Sequence, residues 1–294
     1  MRDYKFVFVI LHYYTIQDTK KCIESIIKNC KDAEIVIVDN ASPNGTGIEL
    51  KKFYKNYLNI HVILNKTNLG FAKGNNVGFE YAKEKLNADF IIMCNNDTYL
   101  IQSDFKGKII EEFEKSKFDV LGPKIILPNE KINLVNLEKP DLKKLKKQLL
   151  ILEVKYIFII IGIQKIISFF KRIFVKESRK SKEMENITES YNKRHENIIL
   201  HGCFLIFSKK YIDKFNGIDD RTFLYREEEL LYIRLKNNNM ISVYNPDIQI
   251  FHNEDAATNA ITKSKRKKQL FIFRNLIKST KILMKELEKY EYKR

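Results

Sequence analysis

Proline and glycine are scarce, 5 and 10 among 294 residues, while hydrophobic side chains make up 44%. A chain so poor in backbone breakers and so rich in apolar residues is neither low-complexity nor disordered, and it is long enough to bury a full core. Cysteine is scarcer still. Cys22, Cys30, Cys94 and Cys203 include no CxxC pair and no histidine at zinc-finger spacing, which predicts reduced, buried thiols of a cytosolic protein. Long uncharged runs are also missing. In the most apolar region, 149 to 175, the longest uncharged piece is the nine residues Tyr156 to Gln164, too short to cross a bilayer. The first apolar run, "FVFVIL" (6 to 11), lacks a small-residue cleavage site after it and reads as a strand rather than a signal peptide. Acidic residues are in deficit, 37 against 53 basic, a formal charge of +16. Such a surface attracts phosphorylated small molecules, anionic lipid or nucleic acid. Nucleic acid is disfavoured, because the basic tracts "KKLKKQ" (143 to 148) and "KSKRKK" (263 to 268) carry no interleaved aromatics on which bases could stack.

What is present is an alternation of strands and helices. Strand-like runs occur at 6 to 11, 34 to 39, 61 to 65 and 89 to 94. Between the first two, "DTKKCIESIIKNC" places Cys22, Ile23, Ile26 and Ile27 at helical spacing behind a cap at Asp18 or Thr19. "GNNVGFEYAKEKL" predicts a second helix before the fourth strand. Alternation of this kind implies right-handed βαβ units and a mostly parallel sheet with helices on both faces. "VLGPKIILPN" (120 to 129) adds a short strand, 199 to 220 a strand and helix, and "ISVYNPDIQIFHNEDAAT" a strand pair; the tail from Gln269 is a basic helix. Over 149 to 175 a helical wheel gathers Glu153, Gln164, Lys165, Ser168, Lys171 and Arg172 into one arc, with Lys155 outside it and the rest apolar. That pattern fits either a helix lying in a membrane interface or a lid packed on the catalytic domain.

In open α/β sheets, ligands bind outside the carboxyl ends of the strands. Asp39 closes the second strand and can accept the N3–H of a pyrimidine, and Tyr13 can stack on that base. "NLGFAKGNN", beginning at Asn68, offers Gly70 and Gly74 for close backbone approach and Lys73 for phosphate. The apolar run before Asn95 and Asn96 ends on Asp97, a hard oxygen ligand suited to Mg²⁺ or Mn²⁺ on a diphosphate. The set asks for a nucleoside-diphosphate ligand.

The chain resembles glycosyltransferase family 2, in particular rhamnosyltransferase-like members with the GT-A fold. "EIVIVDNASPNGT" is similar to the family's VDNxSxDGT, "NLGFAKGNNVGF" to NxGFAxGNNxG, and "MCNNDT" to LNPDT. "GPKI" matches directly, and "HGCFLIFSKKYIDKFNGIDDRTFLYREEELLYIR" resembles the long motif ending in EDxDLxxR, with Leu230 where the family has the last acid. "YNPDIQIFHNEDAAT" and "LFIFRN" follow in the family's order. The resemblance implies an α/β fold of GT-A type, Rossmann-like, with a helical basic insertion and a C-terminal helix. It divides the chain into a nucleotide-sugar half (1–130), the insertion (131–198), an acceptor half (199–262) and a basic helix (263–294). It implies that Asn95, Asn96 and Asp97 stand at the DxD position with Asp97 the metal ligand, and that His252 completes the metal or diphosphate site. The ED pair falls on Glu227 and Glu228, the second being the base that deprotonates an acceptor hydroxyl; here it is Glu where the family has Asp. The implied activity is inverting, Mg²⁺- or Mn²⁺-dependent transfer from a UDP- or dTDP-linked sugar to a lipid-linked cell-surface glycan (polysaccharide, capsule or lipooligosaccharide). It would take place peripherally, on anionic lipid at the cytoplasmic face of the inner membrane. The rival is an inactive GT-A fold serving as a basic membrane or nucleic-acid binding module. His12 and His201, beside apolar runs, read as structural.

Overall fold

The computed structural model describes residues 4–128, 132, 138–162, 191–253 and 264–292. Strands β1 (Phe6–His12), β2 (Glu34–Asp39), β3 (Ile60–Leu64) and β4 (Phe90–Asn95) are parallel neighbours in the order β3-β2-β1-β4. Helices α1 (Ile16–Asn29), α2 (Thr46–Phe53) and α3 (Phe71–Glu84) supply the crossovers. The strands are continuous apolar runs because both faces are covered: Phe8 and Ile10 point into one core with Cys22 and Ile23, while Val7 and Val9 point into another with Phe79 and Ala82. Burying each such side chain contributes about 2 kcal/mol.

Beyond β4 the sheet turns mixed, with the short β5 (Thr98–Leu100), α4 (Phe105–Ser116) and β6 (Val120–Ile126), then α5 (Leu142–Ile161), β7 (His195–Glu196), β8 (Phe204–Ser208), α6 (Lys209–Lys214), α7 (Glu227–Asn237), β9 (Ser242–His252) and α8 (Lys265–Tyr292). β8 inserts between β4 and β6, antiparallel to both, so its start lies beside the carboxyl end of β4. β5 pairs antiparallel with the end of β9, matching Thr98 to His252.

Several expectations need correction. α1 starts about one turn earlier than its predicted cap, with Thr15 before it, and Thr19 is buried in the helix interior. The segment 242 to 252 is one strand rather than a pair: its register against β6 jumps at Pro123/Lys124, where Pro246, unable to donate to a ladder, is accommodated. β7 lies within the predicted insertion and pairs with β9, so the chain rejoins the sheet before residue 198. α5 stops at Gly162, whose φ of 80° forms a left-handed cap. The wheel drawn through to 175 therefore breaks there, and Gln164, Lys165, Ser168, Lys171 and Arg172 lie outside the described residues. The described half packs on α8, with Leu145 meeting Leu283 and Leu287 in one apolar cluster.

Candidate functional site

At the carboxyl edge of the sheet His12, which ends β1, is fully buried. Its Nδ1 lies 2.7 Å from Thr19 Oγ1 and its Nε2 2.9 Å from Thr46 Oγ1. Burial depresses its pKa to about 4, against the opposing pull of Asp39, so it is a neutral brace between α1 and α2. Asp39 is buried as well, its carboxylate accepting from the Ser42 amide. A Cβ on Gly47 would sit 2.2 Å from Asp39 Cγ, so the start of α2 passes directly over this carboxylate. Tyr13 is half-buried at the same edge, its ring edge-on to Tyr14.

The glycine-containing loop is organised by Asn40, which was not singled out from sequence. Its amide donates to Asn68 Oδ1 and Gly70 O, and its Oδ1 accepts from the Leu69 amide. Asn68 Oδ1 also accepts from the Gly70 amide, so this predicted donor-binding side chain holds the loop. Gly70 has φ 82°, and a Cβ there would meet Phe223 O at 2.4 Å. At Gly74 an added Cβ would meet Leu11 at 2.7 Å. The glycine requirement at both positions thus comes from packing within the protein rather than from room for a phosphate. Lys73 is exposed on the first turn of α3.

The three residues after Cys94 divide their tasks. Asn95 is half-buried and faces a cavity. Asn96 turns inward, its amide donating to Thr15 Oγ1 and Thr19 Oγ1. Asp97 is buried with Oδ1 3.2 Å from His252 Nε2, and neither Asp97 Oδ1 nor His252 Nδ1 has a hydrogen-bond partner. Buried polar atoms without partners are costly unless a ligand meets them. A carboxylate oxygen and an imidazole nitrogen form a donor set that suits Mn²⁺ or Mg²⁺ completed by diphosphate oxygens. Among the described residues no group of three or more His, Cys, Asp or Glu side chains converges on one point.

The acids stand on the other side of His201. A cavity of about 400 Å³ is walled by Phe71, Asn95, His201, Tyr225, Glu227 and Glu228, among others. Tyr225 and Arg226, at φ 74° and 72°, are consecutive left-handed residues just before α7, a conformation costly for non-glycine residues. Arg226 is held there by three elements: its Nη1 donates to Glu229, Nε to Thr280 of α8 and Nη2 to Gln148 of α5. Glu227 is buried and accepts from Thr222 Oγ1 at 2.9 Å; burial first, then the neighbouring Glu228, raises its pKa to about 7. Glu228 is half-buried, and Oε1 accepts from the Gly202 amide at 3.2 Å. Burial, with help from Glu229, raises its pKa too.

His201, read from sequence as structural, is held by the backbone as such a residue is, and it also lines the cavity. Its Nδ1 accepts from the Cys203 amide, which places the ring proton on Nε2, and its ring centroid lies 6.2 Å from that of His252. Burial and His252 lower its pKa to about 4. The signal available in sequence was its place immediately ahead of an apolar run. That run became informative only once it proved antiparallel to β4.

Gly202 gives a direct test of this geometry. An added Cβ would lie 2.7 Å from Glu228 Oε1, the mobile end of that side chain. Gly202→Ala should therefore move the carboxylate instead of unfolding the protein. The expected outcome is a kcat/KM about 100-fold lower with little change in Tm.

A second cavity, of about 460 Å³, lies between α4 and β9. Its buried carboxylate, Glu112, is bonded by Arg194 and Asn245 and ties α4 to β7 and β9.

Comparison with known proteins agrees with this architecture. The family model described as Glycosyl transferase family 2 matches residues 7–215. The low-salt glycan biosynthesis hexosyltransferase Agl10 of Haloferax volcanii is 26% identical over 118 residues, 40% of this chain and 36% of that protein. Among solved structures, S. aureus TarS 1–349 in complex with UDP-GlcNAc aligns at TM-score 0.53 and 17% identity, over 93% of this chain and 65% of that one. The mannosyltransferase PcManGT from Pyrobaculum calidifontis, in complex with GDP-Man and Mn²⁺, aligns at TM-score 0.55 and 9% identity, over 98% and 74%. The chain spans about a third of the length of the first relatives it matches: 36% of Agl10 and 36% of a longer TarS chain.

Proposed function

The chain belongs to glycosyl transferase family 2, and from that premise we propose that it is an inverting, divalent-metal-dependent transferase. It moves a sugar, rhamnosyl-like in class, from a UDP- or dTDP-linked donor to a hydroxyl of a lipid-linked surface glycan at the cytoplasmic face of the membrane. The observation that carries the reading is the position of His201. It shares a cavity wall with Glu227 and Glu228 and stands against His252, the partner of Asp97. His201 thus borders both the cavity that holds the acids and the Asp97–His252 pair, which supports a proposed base and proposed metal ligands within one neighbourhood.

In that displacement the acceptor oxygen forms a bond to the anomeric carbon as the bond to the diphosphate breaks. The electron pair leaves with the diphosphate, and the hydroxyl proton passes to the Glu228 carboxylate. Asp97 and His252 would hold the divalent ion, whose charge offsets the one developing on the leaving group. Glu227, kept buried by Thr222, fixes the start of α7 and repels a second negative charge on its neighbour. Tyr13 and Asp39 are assigned to the base, Asn68 and Gly70 to the loop that shapes the donor pocket, Lys73 to phosphate, and Asn95 and Asn96 to the wall and brace beside Asp97. The relatives' complexes with UDP-GlcNAc and with GDP-Man plus Mn²⁺ support a nucleotide-sugar donor here.

The test is release of nucleoside diphosphate from a panel of UDP- and dTDP-linked sugars, with and without Mn²⁺. Metal-stimulated release with one donor is expected. No release with any donor would return the chain to a non-catalytic binding protein.

A further inference from the structure

Helix α5 divides its surface between two environments. Leu145 and Ile159 are buried, and Glu153, on the flank between them and the exposed face, pairs with Lys281 of α8 at 2.7 Å. On the opposite side Leu150, Val154, Ile157 and Ile161 are 63, 39, 53 and 58% exposed. At 100° per residue these four fall within about 60° of arc, a continuous apolar stripe. Isolated exposed isoleucines need no explanation, but an aligned row of them does.

The stripe is bracketed by cations. Extended toward the helix N-terminus, the same arc carries Lys143, with Lys147 about 20° beyond its edge, both exposed. At the other end Arg266 donates to the carbonyls of Ile159 and Ile160. That contact brings the start of α8, with exposed Lys265 and Lys267, against the end of the stripe. The sole carboxylate within α5, Glu153, belongs to the α8 side. No helix among the described residues is long and apolar enough to span a membrane. Bulky apolar side chains in one row, with lysines at both ends and no acid between, match a surface that is apolar beneath and anionic above.

We propose that this face of α5, with the first turn of α8, is where the protein docks on a bilayer bearing anionic headgroups. The proposal rests on the reading of a lipid-linked acceptor and names the surface that meets the lipid. Gln148 of the same helix accepts from Arg226, the residue before Glu227, so docking at α5 holds the acid turn one side chain away from the helix that touches lipid.

The full chain is to be sedimented with phosphatidylcholine vesicles and with vesicles containing about 30 mol % phosphatidylglycerol, at low and high salt. Binding to the anionic vesicles alone, weakened by salt, is expected. Ile157→Glu with Ile161→Glu should lower the bound fraction at least tenfold, Lys143→Ala with Lys147→Ala should lower it less, and Leu58→Glu, at a 96% exposed leucine elsewhere, should leave it unchanged. Circular dichroism and Tm of each variant establish folding. Undiminished pelleting of the folded double-glutamate variant overturns the proposal, as does equal binding to neutral vesicles, which would point to a partner other than anionic lipid. Absence of pelleting by the unmodified chain overturns it as well. Nucleoside diphosphate release measured in the same samples without vesicles is expected to be the same for all four proteins. Its loss in the unmodified chain while pelleting persists would defeat the transferase reading alone; release without pelleting would defeat the docking surface alone.

Discussion

Alanine in place of Asp97 is expected to reduce metal-stimulated nucleoside diphosphate release about a thousandfold. The size of the effect follows from how little else stands nearby. Asn96 has its amide bonded to Thr15 and Thr19, facing into the fold, and Asn95 carries no charge. His252 alone would then face the leaving group, and an imidazole nitrogen brings no negative charge with which to replace a carboxylate as a hard-ion ligand. Asp97→Asn separates charge from shape: it keeps the side-chain volume beside His252 and should hold Tm within a few degrees while losing the same activity. Because the cluster contributes one carboxylate, the Mn²⁺ concentration for half-maximal stimulation should fall as the donor concentration is raised, since the donor diphosphate brings further oxygens. Release by Asp97→Ala that Mn²⁺ still stimulates would remove Asp97 from this role. A titration of both variants with Mn²⁺, read as initial rate, decides it.

Glu228→Gln is expected to lower transfer about 10²- to 10⁴-fold, the usual worth of a positioned base, while leaving donor binding intact. The amide retains the hydrogen bond from Gly202 but cannot take a proton. For the unmodified protein the pH profile should show an acid limb. Burial raises both carboxyls, that of Glu227 to about 7 with the charge of Glu228 as second cause. Transfer therefore rises with pH as the base ionises, above the ordinary carboxylate range, and it flattens beyond. Glu228→Gln should abolish that limb. The same shift has a cost in stability whose sign is opposite to that of an ordinary ion-paired acid. A carboxyl raised in the fold favours the protonated native state, so its stabilisation is present below the unfolded value of 4.5 and is lost as pH rises through about 7. Glu227→Gln, which keeps an acceptor for Thr222, should consequently raise Tm at pH 8 relative to the parent and leave it unchanged near pH 4. A flat transfer profile from pH 5 to 8 in the parent would show that neither acid serves as the base.

Glu in place of the family's Asp at residue 228 reads differently with the structure in hand. From sequence it stood only as a departure from the family's pattern. In the fold the glutamate's length carries the carboxylate to the Gly202 amide, and glycine at 202 leaves the space it occupies. The two positions form one feature split between the turn before β8 and the start of α7.

The apolar strands, their parallel order and the termination of β4 before Asp97 follow from local pattern. A run of apolar residues covered on both faces must be a central strand, and a carboxylate placed after it emerges at the ligand-binding edge. The exposed cations were equally legible, since they depend on composition alone. Other features depended on contacts between distant segments. The direction in which Asn96 points was decided by α1, and the glycines of the "NLGFAKGNN" loop were claimed by Phe223 and Leu11. Neither follows from the residue types, because an amide or a glycine serves a ligand and a neighbouring strand equally well. His201 became part of the site because β8 runs antiparallel beside β4, and the left-handed pair Tyr225 and Arg226 persists because α5 and α8 grip the arginine. Short-range periodicity determined which segments are strands and helices, whereas long-range hydrogen bonds and packing determined which side chains turn toward the cavity and which hold its walls.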